Sequence, residues 1–194
     1  MSNPNNPARP VSSPDLTSAL TQIGTEIDHQ PLRSSALARI MRETFYGSDA
    51  GGAWDWRMAY DLMQAAAIQM LLRGGGAAGD IAVAKLLASR LLTETRRLEQ
   101  QIRLQQFSTP LPFAALAVQA AAIRKGETVL EPSAGTGALA AFAARAGATL
   151  VFNEIDPFRQ HLLRAVFGGE VTGHDGEHID DLLQTPVLPD VVVM

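Results

Sequence analysis

Residues 128–137 read TVLEPSAGTG. Thr128 to Glu131 has the apolar content of a short buried strand, and the strand ends on an acid. Pro132 and Ser133 lead into Gly135-Thr136-Gly137, and an alanine-rich stretch follows. Glycines at such a turn let the backbone approach a ligand and open a helix without steric cost. Taken alone, Gly-Thr-Gly is also what any tight strand-to-helix turn requires. The surrounding chain decides between these readings.

The next apolar run, Thr149 to Asn153, is followed by Glu154, seventeen positions after Gly137. A carboxylate at the end of a second strand can accept both hydroxyls of a ribose. The competing role, capping the following helix, fits Asp156 better, because Pro157 comes next at a first helical position. A dinucleotide site would turn helix-terminal amides toward a pyrophosphate. Here Glu131 stands at the mouth of the turn, and a carboxylate repels pyrophosphate. It suits the ammonium and sulfonium groups of S-adenosylmethionine. The charge pattern therefore favours a methyl-donor cofactor over a nicotinamide one. A nicotinamide dehydrogenase would also need a substrate domain after the fold.

Outward from this segment, strand and helix alternate. Thr136 to Ala146, Pro157 to Phe167 and Asp180 to Leu183 read as helical. Val171 to Gly173 and Asp190 to Met194 read as strands. Alternation with continuously apolar strands predicts a parallel sheet of the α/β class. Upstream, Phe107 to Pro112 is a break forced by two prolines, and Phe113 to Arg124 is a helix. Residues 31–106 read as a helical subdomain. Leu37, Ile40, Met41 and Phe45 recur at helical spacing. Asp55 is a candidate cap for a helix with Tyr60, Met63, Ala67, Met70 and Leu71 inward. Asp80 is a candidate cap for a long helix reaching Ile102. Residues 1–30, with Pro4, Pro7, Pro10 and Pro14, are expected to be a disordered tail.

The composition is that of a globular chain: 194 residues, 46% hydrophobic and 19% charged. A net charge of -4 gives no whole-chain case for tight nucleic-acid binding. The absence of cysteine excludes disulfides and thiolate metal sites. No secretory or membrane-spanning run is evident, so the cytoplasm is the expected compartment. His174 and His178 lie among acids but in a stretch that reads as loop, so no metal site is assigned. Trp54 and Trp56 read as packing under a glycine-rich turn. Arg90, Arg96, Arg97 and Arg103 interleave with Glu94 and Glu99 as a solvated helix face.

The segments EPSAGTG and NEID, at 131–137 and 153–156, resemble the first two motifs of class I S-adenosylmethionine-dependent methyltransferases. With Phe107-Ser108-Thr109-Pro110 placed upstream, the likeness is closest to the N6-adenine DNA methyltransferases. The preceding helical region is similar to methylation subunits of type I restriction-modification systems. Residues 35–72 resemble the amino-terminal part of bacterial strawberry-notch-type methylase/helicase proteins. The resemblance implies a partial doubly wound, Rossmann-like sheet over residues 107–194. It implies that Phe107, Thr109 and Pro110 close over the methionine end of the cofactor. Glu131, Ser133, Gly135 and Gly137 would line it, Glu154 would bind the ribose, and Ile155 would pack on adenine. Asp175, with Gly176 beside it, would bond the adenine amino group. DNA is the implied partner.

In this family an Asn-Pro-Pro-Phe-type catalytic motif follows the fourth strand, which Asp190 to Met194 resembles. The chain is therefore expected to lack its catalytic residues and to be non-catalytic alone. Val191 to Val193 is expected to be an exposed edge inviting a second copy or a partner chain. The alternative is a non-catalytic docking module of a larger helicase/methylase assembly.

Overall fold

The computed structural model describes residues 14–74, 80–95, 108–182 and 188–194. Four helices come first: α1 (Leu16–His29), α2 (Ser34–Phe45), α3 (Trp56–Arg73) and α4 (Asp80–Arg90). Then follow α5 (Leu111–Ala120), β1 (Thr128–Glu131), α6 (Ala138–Arg145), β2 (Thr149–Asn153) and α7 (Pro157–Phe167). The last described elements are β3 (Val171–Thr172), a 3-10 turn (Gly176–His178), α8 (Ile179–Leu182) and β4 (Val191–Val192). The strands form one parallel sheet in the order β3-β2-β1-β4. The chain is thus an α/β protein, as the alternation predicts.

Register assigns the sheet's two faces. Val129 pairs with Leu150 and Val191, and Phe152 pairs with Val171. These residues share one face and join clusters with α6 and α7 side chains. Leu130, Val151 and Val192 fall on the other face because successive side chains alternate. Val192 is half exposed there.

The helices preceding the sheet share its core. α3 contacts α1, α2, α4, α6 and α7. Its buried residues, including Tyr60, Leu62, Met63, Ala66 and Ile68, point in every direction around its axis. The sequence predicts a one-sided inward face for this helix; the structure makes it a central one. A single core cluster runs from Leu20 and Ile23 through Leu62 and Leu71 to Val129 and Leu162. Asp55 caps α3 as expected, its carboxylate accepting from the Met58 amide.

Three expectations are corrected. Residues 14–29 are not a disordered tail: Asp15 caps α1 through the Ser18 amide, and Ala19, Leu20, Ile23 and Ile27 are buried. Burying each large side chain contributes about 1.5–3 kcal/mol against the cost of ordering the helix. Residues 1–13 lie outside the described residues. The long helix from Asp80 ends at Arg90, because the Arg90 carbonyl accepts from the Leu32 amide instead of continuing the ladder. Arg90 also donates to the Ile27 and Asp28 carbonyls. Residues 96–107, the rest of the expected helix, lie outside the described residues, as do Arg96, Arg97 and Arg103. Asp80 pairs with Arg145 at 2.7 Å, joining α4 to α6. The helix expected to reach Arg124 stops at Ala120, and Ala122 takes a left-handed conformation (φ 51°).

The strongest polar tie between the early helices and the sheet layer is Asp61 with Arg159. Arg159 donates to both carboxylate oxygens, at 2.9 and 3.1 Å, and both residues are buried. Arg57 bonds Asp156 at 2.9 Å and Asp61 at 3.4 Å, extending the network to the cap of α7. Removing one partner of such a pair strands the other charge. Asp61→Ala is expected to lower unfolding free energy by about 3–5 kcal/mol in urea titration. Asp61→Leu combined with Arg159→Met is expected to recover most of that loss. A loss under 1 kcal/mol in the single variant would refute this role.

Candidate functional site

The site is built where β1 and β2 end. β1 carries Glu131 to the sheet's carboxyl edge, where it is 4% exposed. Its carboxylate accepts from the Ala140 amide at 3.1 Å, within the first turn of α6. Burial is the main cause that pushes its pKa well up. The Ala140 bond opposes the shift, and the neighbouring Glu154 charge adds to it. A buried carboxylate with this preference gains from a cation placed beside it.

Two glycines have positive φ in the turn, for different reasons. Gly135 (φ 57°) has open space where a side chain would stand, with only Arg159 Nη1 near at 3.9 Å. Gly137 (φ 87°) faces inward: a Cβ there would lie 2.5 Å from the Phe167 ring and 3.0 Å from Leu163. Gly135 therefore leaves room for a ligand, whereas Gly137 is required for packing α6 against α7. The close approach of Phe167 and Leu163 is sufficient reason for a glycine at 137.

Glu154 ends β2 and closes onto the same turn. One oxygen accepts from the Gly135 amide at 2.6 Å, and the other from the Asp156 amide at 2.8 Å. Asp156, not Glu154, caps α7 as the sequence predicts, and both Glu154 oxygens instead hold backbone amides of the two strand-end turns. A carboxylate has about four acceptor positions, so two such bonds do not exhaust it. Burial raises its pKa, against the Asp156 amide, the Arg159 charge and the Gly135 amide. Asp156 is the cap of α7, accepting from Phe158 and Arg159 amides.

Around this turn the structure gathers most of the residues singled out in the sequence. A cavity of about 50 Å³ is lined by Thr109, Glu131, Ser133 and Gly135, with Thr136 and Met194. A larger cavity of about 450 Å³ adjoins it, sharing Ser108, Thr109 and Ala138, with Pro110 in its wall. Ile155 is half exposed beside Glu154. Asp175 is exposed, and its carboxylate accepts from the Glu177 amide at 3.1 Å. Gly176 lies against Ser133: a Cβ there would be 3.0 Å from its hydroxyl. Phe107 lies outside the described residues. Trp54 and Trp56 pack edge to face and donate to the Gly47 carbonyl and the Asp49 carboxylate, respectively.

Sequence reasoning misses four polar residues at this edge. Arg159 lies under the turn beside Asp61. Gln64 of α3 accepts from the Thr136 hydroxyl at 3.1 Å and donates to Glu94. Arg159, Asp61 and Gln64 come from helices, whereas Glu94 lies just past the end of α4. The sequence signal is the presence of Asp61 and Gln64 among the mostly apolar residues of α3.

No protein-family model, curated protein or solved structure matches the chain significantly.

Glu131 makes stability depend on pH in a defined direction. A carboxyl raised above its ordinary 4.5 stabilises the fold below that value, and the contribution is lost as pH climbs through the raised pKa. Glu131→Gln keeps an acceptor for Ala140 and removes the titration. The stability of this variant relative to wild type is expected to increase as pH rises above 4.5, levelling off once pH passes the raised pKa, in urea titrations. A difference that stays constant above pH 4.5 would contradict the assignment.

Proposed function

We propose that the chain binds S-adenosylmethionine across the carboxyl ends of β1 and β2, in a Rossmann-like methyltransferase arrangement. The observation that carries this reading is the Glu154–Gly135 bond. It ties the acid after β2 to the open glycine of the turn after β1, while Thr109 and Glu131 line the cavity beside that glycine. The strand order β3-β2-β1-β4 puts β1 and β2 side by side at the centre, where a nucleoside can lie over both strand ends.

The donor set fits the cofactor chemically. Glu154 retains acceptor capacity for ribose hydroxyls. Ile155 offers an exposed apolar side chain to a purine face. Asp175 is an exposed acceptor for an amino group at the purine edge. Glu131 holds a carboxylate in a low-dielectric setting, where attraction to a cation is stronger than in water. An acid there opposes pyrophosphate, which argues against a nicotinamide dinucleotide.

When bound, the cofactor supplies an electrophilic methyl group on sulfur. The residues of this chain bind and orient it: Glu154 fixes the sugar, and Glu131 favours the positive end. Fixing the methyl group in line with an attacking amine removes much of the entropic barrier. The acceptor we assign is the amino group of adenine in DNA, by the likeness of residues 107–110, 131–137 and 153–156 to the N6-adenine methyltransferases. The chain would serve this reaction alone or within a larger assembly.

Isothermal titration with S-adenosylhomocysteine tests the reading. The wild-type chain is expected to bind it. Glu154→Ala is expected to bind about tenfold or more weakly, the loss of one charge-assisted hydrogen bond or more. No binding of either cofactor form by the folded wild-type chain would overturn the proposal. Label transfer from a tritiated donor to adenine in unmethylated duplex DNA, by the chain or its assembly, tests the acceptor.

A further inference from the structure

The 450 Å³ cavity is larger than any role in the motif resemblance accounts for. It lies between α3, the start of the segment after α4, and Ser108–Leu111. Most of its wall is apolar, with Met63, Ile68 and Leu91 among the lining residues. Its polar groups include Thr109, Gln64 and Glu94. Glu94 is half-buried and accepts from the Gln64 side-chain amide. Gln64 also accepts from Thr136, so the cavity's polar wall is bonded directly to the glycine turn.

The neighbouring 50 Å³ space near Glu131 is too small for an amino-acid chain, and small-molecule sites are usually about 300–1,000 Å³. The two spaces share Ser108, Thr109 and Ala138. A ligand passing Thr109 from the turn therefore enters the larger cavity. What suits that cavity is a short methylene chain ending in an ammonium and a carboxylate: apolar walls for the carbons, Glu94 for the ammonium, and the hydroxyls of Ser108 and Thr109 for the carboxylate.

Resting on the cofactor reading above, we propose that this cavity receives the α-amino-acid tail of the cofactor, with Glu94 as the acceptor for its ammonium group. Glu94 and Gln64 lie outside the segments 107–110, 131–137 and 153–156, to which the resemblance assigns cofactor contacts. The early helices then contribute directly to donor binding, through α3 and the segment after α4. Gln64 is a positioning residue, holding Glu94 and Thr136 in one bonded line.

The test compares two ligands on the full chain. S-adenosylhomocysteine carries the amino-acid tail; 5′-methylthioadenosine has the same nucleoside and thioether sulfur without it. Glu94→Gln keeps an oxygen for Gln64 and removes the charge. Ala88→Phe fills the cavity from α4, away from Glu94. Each variant is expected to lose about tenfold or more in affinity for S-adenosylhomocysteine and to bind methylthioadenosine within about twofold of wild type. The unchanged methylthioadenosine affinity also reports that each variant is folded. Equal losses for both ligands, or no loss for either, would overturn the tail assignment and leave cofactor binding standing. Equal wild-type affinity for the two ligands would overturn it too. Failure of the wild-type chain to bind either ligand would instead remove the cofactor reading on which it rests.

Discussion

The buried pairing of Asp61 with Arg159 is the constraint around which this molecule is arranged. Burying two ions is costly, and good bidentate geometry is what offsets that cost. The pair fixes the position of α3 against α7. It also places the Arg159 charge beside Glu154 and under Gly135. Arg57 carries the same network to Asp156, the cap of the helix that bears Arg159. The position of a helix before the sheet and the electrostatic setting of the strand ends are therefore one problem with one solution.

Polar groups at the strand ends reinforce that solution. Glu131 accepts from α6, Glu154 accepts from the turn before α6, and Gln64 of α3 accepts from Thr136. Asn153 adds a further tie: its amide group bonds the Pro132 and His174 carbonyls, and its oxygen accepts from the His174 amide. The loops after β1, β2 and β3 are thereby held to one another. Such cross-linking holds the three strand-end loops in one arrangement. Two carboxylates share that edge, and burial is the main cause that raises the pKa of each.

Much of the sheet layer was legible because its signals are local. A strand, an acid and a glycine turn follow each other within 128–137, and a strand, an acid and a capped helix start within 149–157. The features that were not legible arise at long range. Nothing near Arg90 shows that its carbonyl will bond Leu32, so the helical period overran the true end of α4. Asp61 and Arg159 are 98 positions apart, and their pairing leaves no periodic trace. The bond from the Gly135 amide to Glu154 is equally invisible locally, because only the closure of β2 against β1 brings the two together. The disordered-tail reading rests on the prolines and on a scarcity of large apolar groups, and it overlooks a helical period. Leu16, Leu20, Ile23 and Ile27 follow Asp15 at helical spacing, and that period outweighs the prolines before them.

The all-round burial of α3 has an evolutionary side. A helix with one buried face can be exchanged along with the surface it carries. Here Ala65, Ala66 and Ala67 are all closed in, and neighbours lie on several sides. A recombination event joining foreign helices to this sheet near residue 106 would divide a shared interior. Substitutions on either side of α3 are therefore coupled through one packed interior.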